Sequence, residues 1–240
     1  MPSTNVKIVS FSGIDGAGKS TQIEALLDHL RAHGFASKTY TFWDDVAVLP
    51  GFREQVSLSV FKGDHGIGSP DKPIVRRDKN VTSWHVVAFR LALYLLDVCS
   101  LAIVISRASA AEGEVVIFDR YIYDELANLP LKRRWARFYI RLLLKLTPRP
   151  DLALLLDADP DAACQRKPEY PPYFVERNRE SYLRLARLAG ITVLPPLTIA
   201  ETKAKILNQV SEVFAAASSD PPPVEAPGSV AGGAANGRFN

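Results

Sequence analysis

Near the amino terminus, a lysine and a serine follow three closely spaced glycines. Residues 13–20 read GIDGAGKS and fit the pattern GxxxxGK[ST]. Glycines allow a loop to fold so tightly that successive backbone N–H groups point inward at an anion. A lysine at this spacing reaches the β- and γ-phosphates of a nucleotide, and the hydroxyl that follows binds Mg²⁺. The spacing therefore predicts a site for a nucleoside triphosphate and magnesium.

The neighbouring elements support this interpretation of the loop. Residues 6–12 form a β-rich run that predicts a buried strand, and helix-spaced apolar residues begin at Ile23. Such a helix directs the positive end of its dipole at the bound phosphates. The chain has no Asn-Lys-x-Asp guanine-binding motif, which argues against a GTPase. We expect nucleotide binding by Gly13, Ile14, Asp15, Gly16, Ala17, Gly18, Lys19, Ser20 and Thr21, with Ser20 also on the metal.

The elements that must position this loop alternate between strands and helices. The predicted strands cover residues 6–12, 38–43, 114–119, 152–157 and 191–194. Helical patterns lie between them, at about 84–110, 132–146, 174–188 and 200–217. Alternation of this kind predicts parallel strands joined by crossover helices, and therefore an α/β fold.

The composition is typical of one globular domain. The chain has 240 residues, 47% of them hydrophobic, and a formal net charge of +3, too small to indicate a nucleic-acid-binding protein. Two cysteines predict no disulfide framework, and with no visible secretory signal we expect a cytoplasmic location. The apolar run at 91–105 is interrupted by Asp97 and is shorter than the ~20 residues of a membrane span. It predicts a buried core helix.

Three further segments carry predictions of their own. Residues 63–80 are rich in Gly, Pro, Asp and Lys and predict a mobile loop. From residue 218 the chain is rich in Pro, Gly, Ala and Ser, which predicts a disordered tail at 218–240. In the basic segment 131–146 we expect Leu131, Trp135, Phe138 and Leu142 to face the core, with the basic residues in solvent.

Four sequence segments resemble the thymidylate kinase family in the expected order. Residues 11–22, FSGIDGAGKSTQ, resemble its opening, and residues 116–121, VIFDRY, resemble its strand-ending Asp-Arg-Tyr. Residues 155–160, LLDADP, resemble the segment before its lid, and residues 174–186 resemble the helix after the lid. The resemblance covers roughly residues 6–215 and identifies the chain as a divergent member with a short lid.

This resemblance implies a P-loop kinase fold, with a five-stranded parallel sheet and helices on both faces. It implies one domain at residues 1–217 with a lid at about 160–175, and a possible homodimer formed through long helices. It also implies a transferase of nucleotide biosynthesis that uses ATP and Mg²⁺ to convert dTMP to dTDP.

The resemblance further implies roles for individual residues. Asp119 joins Ser20 on Mg²⁺, and Arg120 clamps a phosphate at the carboxyl end of a strand. Position 17 is alanine, so the lid must supply the cation that stabilises the transferring group. The nearest lid candidates are Arg166 and Lys167, with Arg177 and Arg179 behind them. The acceptor is expected to contact Asp15, Asp44, Arg90, Arg120 and Tyr121.

The sequence departs from the family pattern at three places. The Arg-Glu-Pro-Gly stretch after the second strand is replaced by FWDD at residues 42–45. Val98 follows Asp97 where the family has Asp-Arg, and the nearest arginine on that helical face is Arg90. The lid is short, and its prolines around 168–172 predict an extended segment instead of a helical flap.

These departures leave two alternative functions open. An ionised phosphate needs no base, whereas a hydroxyl acceptor does, and Asp44 or Asp45 lies where related deoxynucleoside kinases carry theirs. The second hypothesis is therefore a kinase for a hydroxyl-bearing small molecule with Asp44 as base. The third is a catalytically silent nucleotide-binding protein that regulates a partner, although Lys19, Ser20, Asp119 and Arg120 argue against it.

Overall fold

The computed structural model describes residues 6–49, 84–108 and 114–218 of the chain. The predicted loop at 63–80 and the predicted tail at 218–240, apart from its first residue, lie outside the described residues. The strands are β1 (Lys7–Ser12), β2 (Ala36–Thr41), β3 (Glu114–Asp119), β4 (Leu152–Leu156) and β5 (Thr192–Leu194). The helices are α1 (Lys19–Ala32), α2 (Trp84–Ala108), α3 (Ile122–Leu126), α4 (Arg134–Leu146), α5 (Pro160–Arg166), α6 (Pro172–Ala189) and α7 (Ile199–Ser218).

All five strands pair in parallel, in the order β2-β3-β1-β4-β5. The register places Asp119 at the end of β3 opposite both Phe11 of β1 and Thr41 of β2. The carboxyl ends of the three strands therefore reach the same edge of the sheet, where open α/β folds bind their ligands. The predicted α/β class and its five-stranded parallel sheet are confirmed.

Side chains of the central strands alternate between two apolar layers. Val9 and Phe11 of β1 pack with helices α1 and α7 through Leu26 and Ile206. Residues of opposite parity, such as Phe118, face a larger cluster formed with α2, α3, α4 and α6. Because both faces of the sheet are covered, β3 and β4 are nearly continuous apolar runs instead of alternating ones.

Helix α2 is buried along one face only. Leu93, Tyr94, Val98 and Leu101 are buried, whereas Leu95, Leu96 and Ile103 are 39–51% exposed. Residues 88–108 are long and apolar enough to cross a membrane by length and composition, a test that core helices of soluble proteins also pass. The predicted core helix therefore has an apolar face that the described chain does not cover.

Helix α4 is oriented differently from the prediction. Its buried side chains are Ala136, Ile140 and Leu143, whereas Phe138 is 72% exposed and Trp135 is 41% exposed. The prediction that Trp135, Phe138 and Leu142 face the core is wrong. The segment carries two apolar stripes, and the one with the smaller side chains packs against the closely approaching neighbouring elements.

Candidate active site

The glycines of the loop between β1 and α1 are required by both conformation and packing. Gly13, Gly16 and Gly18 all have positive φ, at 143°, 80° and 88°. A Cβ atom at Gly16 would lie 2.5 Å from the carbonyl oxygen of Ala163 in the lid, and one at Gly13 would lie 2.6 Å from a β4 carbonyl. Only glycine fits at these two positions, because the clashing atoms belong to rigid backbone.

Lys19 points back into this loop from the first turn of α1. Its side chain is buried, and Nζ donates to the carbonyl oxygens of Gly13 and Ile14 at 3.0 Å each. Burial, together with the nearby positive charge of Arg120, lowers the pKa of Lys19 to about 8. The next residue, Ser20, is exposed at the start of the helix, where its hydroxyl is accessible to a ligand.

Asp119 has an unsatisfied oxygen at the edge of the sheet. Its Oδ1 atom is buried and has no hydrogen-bond partner among the described residues. Buried polar atoms without partners are rare in folded proteins. Carboxylate oxygens commonly bind Mg²⁺, either directly or by accepting a hydrogen bond from its bound water. Asp119 and the exposed Ser20 hydroxyl therefore fit a magnesium site.

Arg120 adopts a conformation that non-glycine residues rarely take. Its φ is +68°, and its backbone N–H donates to the carbonyl oxygen of Phe11 at 2.9 Å. Its guanidinium pairs with Asp15 of the loop and lies 3.4 Å from Asp124. A left-handed residue costs about 1–2 kcal/mol, and such strain is found mainly at functional sites.

Asp15 is surrounded by positive charge. Burial alone would raise its pKa, but the charges of Arg120, Lys19 and Lys167 outweigh burial and hold the pKa of Asp15 below its usual value. Its Oδ1 atom lies 4.0 Å from the Nζ of Lys167. The structure thus brings together four of the predicted site residues, which come from the loop, the end of β3 and the lid.

A buried carboxylate that the sequence did not reveal lies behind Arg120. Asp124 is 4% exposed and accepts hydrogen bonds from the Ser12 hydroxyl at 2.7 Å and the Tyr182 hydroxyl at 2.7 Å. It also accepts from the backbone N–H of Tyr121 at 3.1 Å. Its position four residues after Arg120 was the available signal, but Ser12 and Tyr182 reach it only through the fold.

The side chain of Tyr121, which is predicted to contact the acceptor, is packed inside the protein. Tyr121 is fully buried, its ring packs edge-on against Phe118, and its hydroxyl donates to the carbonyl oxygen of Pro148 at 2.6 Å. Burial raises the pKa of this hydroxyl well above its usual value. Because Arg120 is left-handed, the alternation of β3 ends there and the next side chain turns into the core.

The segment predicted as the lid consists of a short helix and a turn. Helix α5 ends at Arg166, residues 168–170 form a turn and a bend, and α6 begins at Pro172. The prediction of an extended segment around 168–172 is therefore wrong. Arg166 and Ala17 both line a cavity of about 320 Å³ beside the glycine loop.

The cations of the lid region separate into different environments. Arg179 forms a two-point ion pair with Asp157, at 2.6 Å and 2.7 Å, which anchors α6 to the end of β4. Arg177 is exposed on the same helix. Arg166 and Lys167 are therefore the lid cations that the fold places beside the loop.

The remaining predicted acceptor residues lie at separate places. Asp44 is exposed on the turn that follows β2, whereas the neighbouring Asp45 accepts the backbone N–H of Thr41 at 2.6 Å. Arg90 lies on α2 and donates to the hydroxyl of Tyr94 at 3.0 Å. The roles of Asp44 and Arg90 in acceptor binding stay predictions.

The fold and site together define a P-loop phosphotransferase. A glycine loop between β1 and α1 holds a buried lysine, an Asp-Arg pair ends β3, and a cationic lid packs over the loop. This arrangement provides backbone amides, a carboxylate with an unpaired oxygen and nearby positive charge, which are kinds of group that phosphoryl transfer uses.

Comparison with known proteins identifies the family. The chain is 30% identical over 194 residues to the thymidylate kinase of Ruegeria pomeroyi, covering 75% of this chain and 81% of that protein. It is 28% identical over 186 residues to the probable thymidylate kinase of Methanosphaera stadtmanae, covering 75% and 83%. It is 24% identical over 208 residues to the probable thymidylate kinase of Archaeoglobus fulgidus, covering 85% and 91%. No family model matches the chain. The chain belongs to the thymidylate kinase family.

Proposed function

We propose that this chain transfers the γ-phosphoryl group of ATP to dTMP, giving dTDP and ADP. The observation that carries the proposal is the cluster in which Lys19, Arg120 and Lys167 surround Asp15 beside the glycine loop. Relatives with this family's sequence pattern are named thymidylate kinases. The proposal treats residues 1–217 as one kinase domain with its lid at about 160–175.

The donor phosphates would be held by the backbone N–H groups of the loop and by Lys19. Its ammonium group would exchange the carbonyl oxygens of Gly13 and Ile14 for phosphate oxygens. Ser20 and Asp119 would hold Mg²⁺, which when bound neutralises charge on the polyphosphate. The cavity of about 320 Å³ beside Ala17 and Arg166 supports placing the nucleoside part of ATP there.

The acceptor phosphate would approach from the side of Arg120. One of its oxygens attacks the γ-phosphorus, the bond between that phosphorus and the β–γ bridging oxygen breaks, and ADP leaves. No base is required, because the attacking phosphate is already ionised at neutral pH. Arg120 and Asp15 would orient dTMP, with Arg90 as a further contact, while Arg166 and Lys167 stabilise the charge on the transferring group.

The sequence replacement at 42–45 favours a second candidate, transfer to a hydroxyl group. Asp44 is exposed at the end of β2, which neighbours β3 in the sheet, so a carboxylate is available at the binding edge. A hydroxyl acceptor would need it as a general base, which typically contributes about 100-fold or more to the rate.

A coupled assay with ATP, Mg²⁺ and a panel of nucleoside monophosphates, nucleosides and sugars separates the two candidates. The first predicts ADP formation with dTMP and none with thymidine, for both the parent and Asp44→Asn. Turnover only with an unphosphorylated alcohol, lost in Asp44→Asn, would establish the second. ATP binding without turnover on any acceptor would instead favour a regulatory nucleotide-binding protein.

We further propose that the chain forms a homodimer through α2. The exposed apolar side chains Leu95, Leu96 and Ile103 lie along this long helix, and a second copy could cover them. Light scattering on the purified protein should then give twice the chain mass, and Leu96→Glu should give the monomer. A monomeric parent would contradict this arrangement.

A cytoplasmic location and the absence of nucleic-acid binding stay predictions from composition.

A further inference from the structure

The carboxylate of Asp124 connects four parts of the structure that meet behind the active site. Its Oδ2 accepts from the hydroxyl of Ser12, the last residue of β1, and from the backbone N–H of Tyr121. Its Oδ1 accepts from the hydroxyl of Tyr182 on α6 and faces Arg120 at 3.4 Å. One side chain therefore joins the start of the glycine loop, the end of β3, helix α3 and the helix that follows the lid.

Every one of these neighbours donates a hydrogen bond towards Asp124. An ionised carboxylate accepts only and has enough lone pairs for all four, so it satisfies them simultaneously. An asparagine of the same shape would present an NH₂ group to at least one N–H donor. The site therefore requires a carboxylate, and a neutral residue of equal size would leave the guanidinium of Arg120 with a weaker partner.

Arg120 depends on such support more than an ordinary arginine would. It is left-handed, at φ +68°, and its side chain is 24% exposed between the carboxylates of Asp15 and Asp124. Asp15 lies in the substrate-facing loop, whereas Asp124 is enclosed by protein. When an acceptor phosphate competes with Asp15 for the guanidinium, the buried carboxylate is the partner that stays in place.

We propose that Asp124 is a positioning residue that holds Arg120, and through Ser12 the start of the glycine loop, in the arrangement that receives the acceptor phosphate. This rests on the proposed function, because Arg120 is given its role there. The hydrogen bond from Tyr182 adds α6 to the same support, so the helix after the lid is fixed to the residue that orients Arg120.

A double-mutant cycle tests whether Asp124 acts through Arg120. Asp124→Asn should lower kcat/KM for dTMP by about 100-fold, since a displacement of about 1 Å at a reacting group can cost that much. In an Arg120→Met background the same change should cost less than about threefold. Asp28→Asn, which alters an exposed carboxylate on α1, serves as the matched control, and its kcat/KM for dTMP should equal that of the parent. Equal losses from Asp124→Asn in both backgrounds, or no loss in the parent, would overturn the proposal.

A second measurement does not depend on the reaction. In ¹⁵N-arginine NMR of the parent, the paired guanidinium of Arg120 should give separate, slowly exchanging Nη–H signals, assigned by their absence in Arg120→Lys. Asp124→Asn should merge or broaden them, and unchanged signals would overturn the proposal even if dTMP proved not to be the acceptor. If Asp124→Asn does not fold, Tyr182→Phe removes a single donor and should give a smaller loss that is likewise absent in the Arg120→Met background.

Discussion

The donor side and the acceptor side of this sheet edge are built in different ways. On the donor side, one continuous segment at residues 13–21 supplies the backbone groups, and Lys19 folds back onto carbonyl oxygens five and six residues before it. On the proposed acceptor side, the residues come from the loop, the end of β3, α2 and the turn after β2, and Arg120 is paired with both Asp15 and Asp124.

Because of this difference, the donor loop tolerates less change in sequence than the acceptor side does. A continuous loop with required glycines at 13 and 16 leaves little freedom, because a side chain there would clash with backbone. The proposed acceptor residues lie in separate segments, and the one at 42–45 reads FWDD in this chain. We expect single substitutions on the donor side to lower kcat strongly. Substitutions on the acceptor side should have effects that differ from one residue to the next.

The largest effect should come from Lys19→Ala. Removing the buried cation that we propose to bind the transferring phosphates should lower kcat by about 1000-fold, the upper range for loss of one electrostatic donor. Steady-state kinetics with ATP and dTMP measure this, with Lys203→Ala on the exposed side of α7 as control. A kcat for Lys19→Ala within tenfold of the parent value would contradict the expectation that the donor side is the more sensitive of the two.

Arg166→Ala should have the next largest effect. Arg166 lines the cavity next to the loop, so its loss should lower kcat by about 100-fold. Arg177→Ala removes an exposed arginine of the following helix and should stay within about twofold of the parent. Comparable losses of kcat in both variants would mean that proximity to the loop does not decide which arginine acts in the reaction.

Arg179→Ala tests whether the anchored arginine supports the fold instead of the chemistry. Loss of its two charge-assisted hydrogen bonds to Asp157 should lower the free energy of unfolding by about 1–2 kcal/mol, measured by urea denaturation. Arg184→Ala breaks an exposed pair with Glu180 on the same helix and should cost about 0.5 kcal/mol or less. Equal destabilisation by the two variants would contradict the anchoring role.

The smallest effect should come from Asp44→Asn. An acceptor phosphate needs no base, so kcat for dTMP should change by less than about threefold, compared with the 100-fold or more expected for loss of a general base. The same coupled assay measures it. A large loss of kcat with dTMP would contradict this prediction and would mean that Asp44 acts on the acceptor in a way other than as a general base.

The sequence predicted the strands and the glycine loop well because their signals are local. The spacing of residues 13–20 and the apolar runs at 114–119 and 152–157 are each short and continuous, and the structure has strands at Glu114–Asp119 and Leu152–Leu156. The boundaries of β2 differ, since it covers Ala36–Thr41 and is followed by a single π-helical turn at Phe42–Val46.

The parts that the sequence did not predict depend on contacts between distant segments. Asp124 becomes a buried partner of Ser12 and Tyr182 only when β1, β3 and α6 come together. Tyr121 turns inward because the residue before it is left-handed, which no periodicity indicates. In α4 two apolar stripes compete, and the fold around it, not the sequence of the helix, selects the stripe with Ile140.

The central claim is that a phosphate oxygen, not a hydroxyl, accepts the γ-phosphoryl group at the site around Lys19 and Arg120. The most direct measurement is ³¹P NMR of the purified protein with ATP, Mg²⁺ and dTMP. The account predicts two new diphosphates in equal amounts, ADP and dTDP, each with a pair of mutually coupled signals, while the monoester signal of dTMP is lost; Lys19→Ala should form neither on the same timescale. ADP as the only new diphosphate together with a new phosphate monoester signal, or no signal beyond ATP and dTMP, would contradict it.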